Sequence, residues 1–131
     1  MKRILFMVVL ASFVVLGSCK KETSKEIEMV SAVKVYEAVY GEENLQLIDV
    51  RTEEEFAVNH LKNAQNICVT SADFKEKAAA LDKEKPVYVY CKKGGRSAKA
   101  ASILKDMGFT KVYDLQGGIT SWQEEGLETI N

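Results

Sequence analysis

The chain has 131 residues, 47% hydrophobic and 28% charged, with a formal net charge of −1, which is the length and balance of one folded domain. Nothing in it is basic enough to mark a nucleic-acid surface. Three cysteines, one histidine and no Cys-x-x-Cys leave no ligand set for a zinc or iron–sulfur site and exclude a disulfide-stapled framework.

Lys2-Arg3 form a positive start, and Ile4 to Leu16 give 13 apolar or small residues. That run has the size of a signal-peptide core and is short for a membrane span. It ends in Leu16-Gly17-Ser18-Cys19, which resembles a bacterial lipobox. The resemblance implies cleavage before Cys19 and lipidation of its thiol. Residues 1–18 are therefore expected to be a lipoprotein signal peptide and 19–26 a short charged tether. Lys20, where an aspartate would resemble an inner-membrane retention signal, favours the outer membrane of a bacterial envelope. The mature chain would keep 113 residues, with 16 basic against 19 acidic side chains.

Residues 27–131 are expected to form the domain. Ile27 to Val30 reads as a first strand, and Ser31 as the N-cap of a helix with Val33, Tyr36, Ala38 and Val39 on its apolar face, ending at Gly41. Leu45 to Val50 is a buried-type strand. Thr52 followed by three glutamates, with Glu55 three positions on, is a capping box that opens a second helix. Ala64 to Cys68 reads as a third strand, and Asp73 to Leu81 as a helix with Phe74, Ala78 and Leu81 on one side. Pro86 opens the fourth strand. Ser97 to Met107 is a helix presenting Ala98, Ala101, Leu104 and Met107, stopped by Gly108. Val112 to Leu115 is a fifth strand and Ile119 to Glu125 a last helix. This alternation predicts a doubly wound, mostly parallel five-stranded α/β sheet with helices on both faces. Ligands bind beyond the carboxyl ends of such strands, where Arg51 and Cys91 both lie.

The β-prone run Val87-Tyr88-Val89-Tyr90 delivers Cys91 into Lys92-Lys93-Gly94-Gly95-Arg96-Ser97 and then a helix. Unpaired N–H groups at that helix start favour an anion, and three cations stand within five positions of the sulfur. The glycines let the backbone curl its N–H groups inward as a nest. Cys91 is therefore expected to ionise readily and to act as a nucleophile beside a small anion. An inert, buried cysteine beside an ordinary turn is the alternative.

Cys91-x-x-Gly94-x-Arg96 with Ser97 resembles the active-site loop of single-domain rhodanese-like sulfurtransferases. Asp49-Val50-Arg51, Glu55-Phe56, His60-Leu61, Ala64 and Asn66-Ile67 resemble that family's earlier motifs. Leu115-Gln116-Gly117-Gly118 with Trp122 resembles its closing one. The segment Asn59 to Ala64 departs from the usual Gly-His-Ile-x-Gly-Ala, and Cys68 stands where a proline is common. The resemblance implies a rhodanese-like domain that moves sulfane sulfur from a small anionic donor such as thiosulfate to cyanide or a thiol through a Cys91 persulfide. No cofactor and no metal is called for. The donor would meet Lys92, Lys93, Gly94, Gly95, Arg96, Ser97 and Arg51.

Three other readings stand beside it. A non-enzymatic persulfide carrier or interaction module would keep the same thiol. A cysteine phosphatase would need five residues between Cys and Arg, and here there are four. The strand order of the family it resembles implies another strand between Cys68 and Cys91, a separation of about 10 Å, too far for redox pairing without movement, so Cys68 is expected to be a core residue. His60 and Trp122 are expected to be structural. Asp49 is expected to shape the site, and Arg51 either to line the pocket or to pair with a carboxylate.

Overall fold

The computed structural model describes residues 26–131; the signal segment, Cys19 and the tether up to residue 25 lie outside the described residues. The order of elements is β1 (Glu26–Val30), α1 (Ala32–Gly41), β2 (Gln46–Asp49), α2 (Glu53–Val58), β3 (Gln65–Asn66), α3 (Phe74–Ala78), β4 (Val87–Tyr90), α4 (Gly95–Asp106), β5 (Lys111–Leu115) and α5 (Gly118–Glu124). All five strands run parallel in the spatial order β1-β5-β4-β2-β3. β1 begins at Glu26, one residue before the expected domain start.

Each strand alternates its side chains between two cores, so both faces need a helical cover. Ile48, Val50, Val87, Val89 and Val112 meet Phe74 and Ala78 of α3 and Ala100, Ala101 and Leu104 of α4. On the other face, Leu47, Tyr88, Tyr90 and Leu115 meet Ala32, Val35, Ala38 and Val39 of α1 and Ile119 and Trp122 of α5. From β2 the chain steps outward to β3, then returns past β2 to β4 and β5 on the other side. The two directions of winding part between β2 and β4, which is where ligands gather in such sheets.

Several expectations are corrected. On α1 the sheet-facing stripe is Ala32, Val35, Ala38 and Val39, while Val33 and Tyr36 are exposed. Tyr36 sits tilted against Tyr40 at 4.5 Å between ring centroids and against Trp122 at 5.9 Å, so aromatic contact holds it outside the core. On α4 the buried small residue is Ala100, and Ala98 faces solvent, because the helix starts at Gly95 and its inner stripe runs through Ser97, Ala101 and Leu104. Cys68 is half-buried rather than a core residue. Ile67 and Val69 on either side of it enter the core, which turns Cys68 the other way, and its Sγ sits 3.2 Å from the Thr70 hydroxyl.

Candidate active site

Cys91 follows the last residue of β4, and Gly94, at φ 122°, caps α4. Only glycine accepts that backbone angle at low cost, and it turns the Gly94 N–H back onto Cys91, 3.0 Å from Sγ. The Ser97 hydroxyl lies 3.5 Å from the sulfur and donates to the Gly94 carbonyl at 3.1 Å. The thiol is thus wrapped by its own loop, and Cys91 is only 1% exposed. Burial works against ionisation, yet hydrogen bonds from the Ser97 hydroxyl and from the N–H groups of Ser97, Gly94 and Lys93 outweigh it. They hold the thiol below its ordinary value.

A second clamp comes from α5. Ile119 N–H donates to the Cys91 carbonyl at 2.9 Å and Thr120 N–H to the Lys92 carbonyl at 3.1 Å. Gly118 makes this approach possible. A Cβ there would lie 2.4 Å from the Cys91 carbonyl oxygen and 2.5 Å from that of Lys92.

Arg96 closes a fork on Glu55, Nη1 to Oε2 at 2.6 Å and Nη2 to Oε1 at 2.9 Å. Glu55 also completes the capping box of α2, accepting from the Thr52 N–H and hydroxyl. The Arg96 fork, helped by Thr52 and opposed by partial burial, holds the Glu55 carboxyl at about 2. Arg51 does both things expected of it. It is buried and paired with buried Asp49, Nη2 to Oδ2 at 2.7 Å and Nε to Oδ1 at 3.0 Å, and its Nη2 donates to the Asn59 carbonyl at 2.6 Å. Burial opposes its charge, and Asp49 more than restores it, raising Arg51 above its ordinary value. Arg51 also lines a pocket of about 240 Å³ together with Glu55, Val58, Asn59, Lys92 and Thr120. Cys91 itself does not line this pocket, but the next residue, Lys92, does. Lys92, Lys93 and Gly95 are exposed, Gly94 and Arg96 are half-buried, and Ser97 is buried.

His60 is structural here. Its Nδ1 sits 3.0 Å from the Phe56 carbonyl and its ring stacks on Phe56 at 4.0 Å. Tyr90 is fully buried beneath Arg51 and accepts from the Leu61 N–H at 3.0 Å. Two acidic residues near the loop were not singled out as site residues from the sequence. Glu55 was legible as a cap and as part of a family motif, but not as the partner of Arg96, which lies 41 residues away. Asp114, a buried acid in the strand Lys111–Leu115, had one available sign: a charge inside an otherwise strand-like apolar pattern.

A thiol stabilised as its anion by converging N–H groups, at the point where a doubly wound sheet divides, is built for covalent attack on an electrophile. The family model described as "Rhodanese-like domain" matches residues 31–125. The uncharacterized protein YqhL of Bacillus subtilis is 30% identical over 93% of this chain and 94% of its own length. The thiosulfate sulfurtransferase GlpE of Coxiella burnetii is 34% identical over 73% of this chain and 87% of its own. Among solved structures, a rhodanese-related protein from Thermoplasma volcanium superposes with a TM-score of 0.69 at 31% identity, over 79% of this chain and 97% of that one. The match runs from the cap of α1 through the cysteine loop to the end of α5, and on that ground the chain belongs to the rhodanese-like domain family.

Proposed function

We propose that the protein is a lipid-anchored sulfurtransferase of the bacterial envelope, moving sulfane sulfur from an anionic donor such as thiosulfate to a thiol or cyanide. The observation that carries this is the 3.0 Å contact from the Gly94 N–H to Cys91 Sγ, inside a loop of further donors. The name of the Coxiella relative supports thiosulfate as donor.

The Cys91 thiolate attacks the outer sulfur of the donor. A new S–S bond forms, the donor's own S–S bond breaks, and sulfite leaves with the electron pair. The persulfide's terminal sulfur then occupies the nest, held by the same N–H groups. A thiolate or cyanide attacks that sulfur and the Cys91 thiolate departs, restoring the enzyme with no cofactor. Because Cys91 is so enclosed, a single protruding sulfur atom is the substrate feature that fits. Lys92 and Lys93, free of ion pairs among the described residues, meet the anionic remainder, while Arg96 is committed to Glu55 and holds the loop's shape.

Exposure to thiosulfate should add the mass of one sulfur atom to the intact protein. Cyanide should remove it, and Cys91→Ser should abolish both the adduct and turnover. Adduct without turnover would favour a persulfide carrier, and no adduct with any sulfane donor would end the proposal. For the anchor, intact mass spectrometry of the protein from membranes should show a chain that begins at Cys19 and carries the added mass of acyl chains; a chain that begins elsewhere or carries no lipid would end that part.

A further inference from the structure

Asp114 is the one described residue with a buried side-chain oxygen, Oδ1, that has no hydrogen-bond partner. It is 1% exposed, in the middle of the sheet between β1 and β4. Its in-register neighbours are Met29 on β1 and Val89 on β4, neither of which can take a charge. By strand alternation Asp114 shares the face of Val112, which α4 covers, and Ser97, buried in the first turn of α4, is the one polar group that acts on it. Among the described residues no cation and no second carboxylate acts on it. Burial raises it above its ordinary value and only the Ser97 hydroxyl pulls the other way. An isolated carboxylate with an empty oxygen in such a place is far more costly than the neutral acid.

The neutral acid differs from the carboxylate in one respect that matters here: it has a proton to donate. Ser97 Oγ needs a donor at one moment of the reaction. While Cys91 is a thiol, its S–H faces Ser97 Oγ at 3.5 Å and the hydroxyl points to the Gly94 carbonyl at 3.1 Å. When Cys91 ionises, that S–H is gone. The hydroxyl must then turn its proton to the sulfur, leaving its own oxygen without a donor. An ionised Asp114 would instead compete for the hydroxyl proton.

We propose that Asp114 is a positioning residue whose neutral carboxyl donates to Ser97 Oγ and so directs the Ser97 hydroxyl onto Cys91 Sγ whenever that sulfur is charged. The role rests on the sulfur-transfer reading for its purpose. It acts through Ser97, touching neither donor nor acceptor. Donation into a hydroxyl strengthens that hydroxyl's own hydrogen bond, so the chain favours thiolate and persulfide over thiol.

The test is the pH dependence of iodoacetamide alkylation in the full chain, followed at the Cys91 peptide by mass spectrometry. Asp114→Val, which fills the strand position without a donor, should raise the titration midpoint by about one unit, roughly a tenfold loss of thiolate below it. Asp114→Asn, always neutral and still a donor, should titrate with the wild type. Combined with Ser97→Ala, Asp114→Val should add nothing. In the unmutated protein at neutral pH, the Asp114 carboxyl carbon-13 shift should be that of the acid. A carboxylate shift there, a folded Asp114→Val with the wild-type midpoint, or a folded Asp114→Asn matching Asp114→Val would each overturn the proposal. The titration needs no sulfur donor. Expected shifts in a chain that never accepts sulfur would therefore support Asp114's role and sink the transfer reading instead.

Discussion

At Gly118 the α-carbon of α5 rests against the carbonyls of Cys91 and Lys92, and no larger residue can stand there without moving the reactive loop. Gly94 also has positive φ, but open space surrounds its missing Cβ. The two glycines should therefore fail differently. Gly94→Ala should cost about 1–2 kcal/mol of backbone strain and loosen the cradle, leaving a folded protein with weakened transfer. Gly118→Ala should lower both the melting temperature and transfer further, since backbone atoms must shift; equal losses in the two variants would contradict this account. Cys91 itself supplies a pH prediction. Its thiol lies below the ordinary 9.0, so the reactive anion accumulates as pH rises through a midpoint under that value and disappears below it. Alkylation rate against pH measures that midpoint directly, and a value at or above 9 would remove the basis of the mechanism. Both sites were readable as motifs. What the motif could not show is that Gly117-Gly118 serves the loop, because the contact joins residues 27 positions apart in the chain.

Between elements, Glu55 ties two parts of the molecule together: the N-cap of α2 at Thr52 and the first turn of α4 through Arg96. Glu55→Gln keeps the shape but weakens the fork. The pair is about one-third exposed, so solvent screening limits the loss to about 1 kcal/mol, or ~4–8 °C in melting temperature for a domain this size. The effect on transfer should exceed the effect on stability, because Arg96 belongs to the loop that shapes the nest. The pH dependence has a definite sign. Glu55 sits at about 2 when folded against an ordinary 4.5, so the unfolded chain binds the extra proton. Its contribution is complete above 4.5 and is lost as pH falls from there towards 2. Melting curves of wild type and Glu55→Gln should converge across that window; a gap that stays constant would mean the fork adds nothing. The capping box was legible because it is local: four residues fix it. The choice of inner face on α1 and α4 was not. Val33 and Ala98 satisfy helical spacing as well as Val35 and Ala100 do, and only the position of the sheet decides between them.

Across the whole molecule, strand count and winding were evident from alternation alone, and the strand order then explains why the two described cysteines stay apart. β2 lies between β4 and β3, and Cys68 turns away from the core that Cys91 joins. Alternation says nothing, however, about how the chain's end returns to the site. After α5 the backbone runs back as a strap to the segment that follows α2. Ile130 exchanges two backbone hydrogen bonds with His60, at 2.8 and 2.9 Å, and the Glu128 carbonyl accepts the fully buried Trp122 indole N–H at 2.9 Å. His60 in turn follows Asn59, whose carbonyl holds Arg51 at 2.6 Å. The strap thus connects α5, which clamps the Cys91 carbonyl, to the segment that anchors the buried Asp49–Arg51 pair. Ending the chain at Leu127 would strip the indole of its partner and free the His60 backbone, costing about 1–3 kcal/mol for the orphaned buried donor alone. At this size that is a melting temperature lower by ~4–8 °C per kcal/mol, measurable by calorimetry. The truncated chain should also show slower persulfide formation at Cys91 at temperatures where it is fully folded. A truncation that melts with the full chain would show that the strap merely rests on the surface.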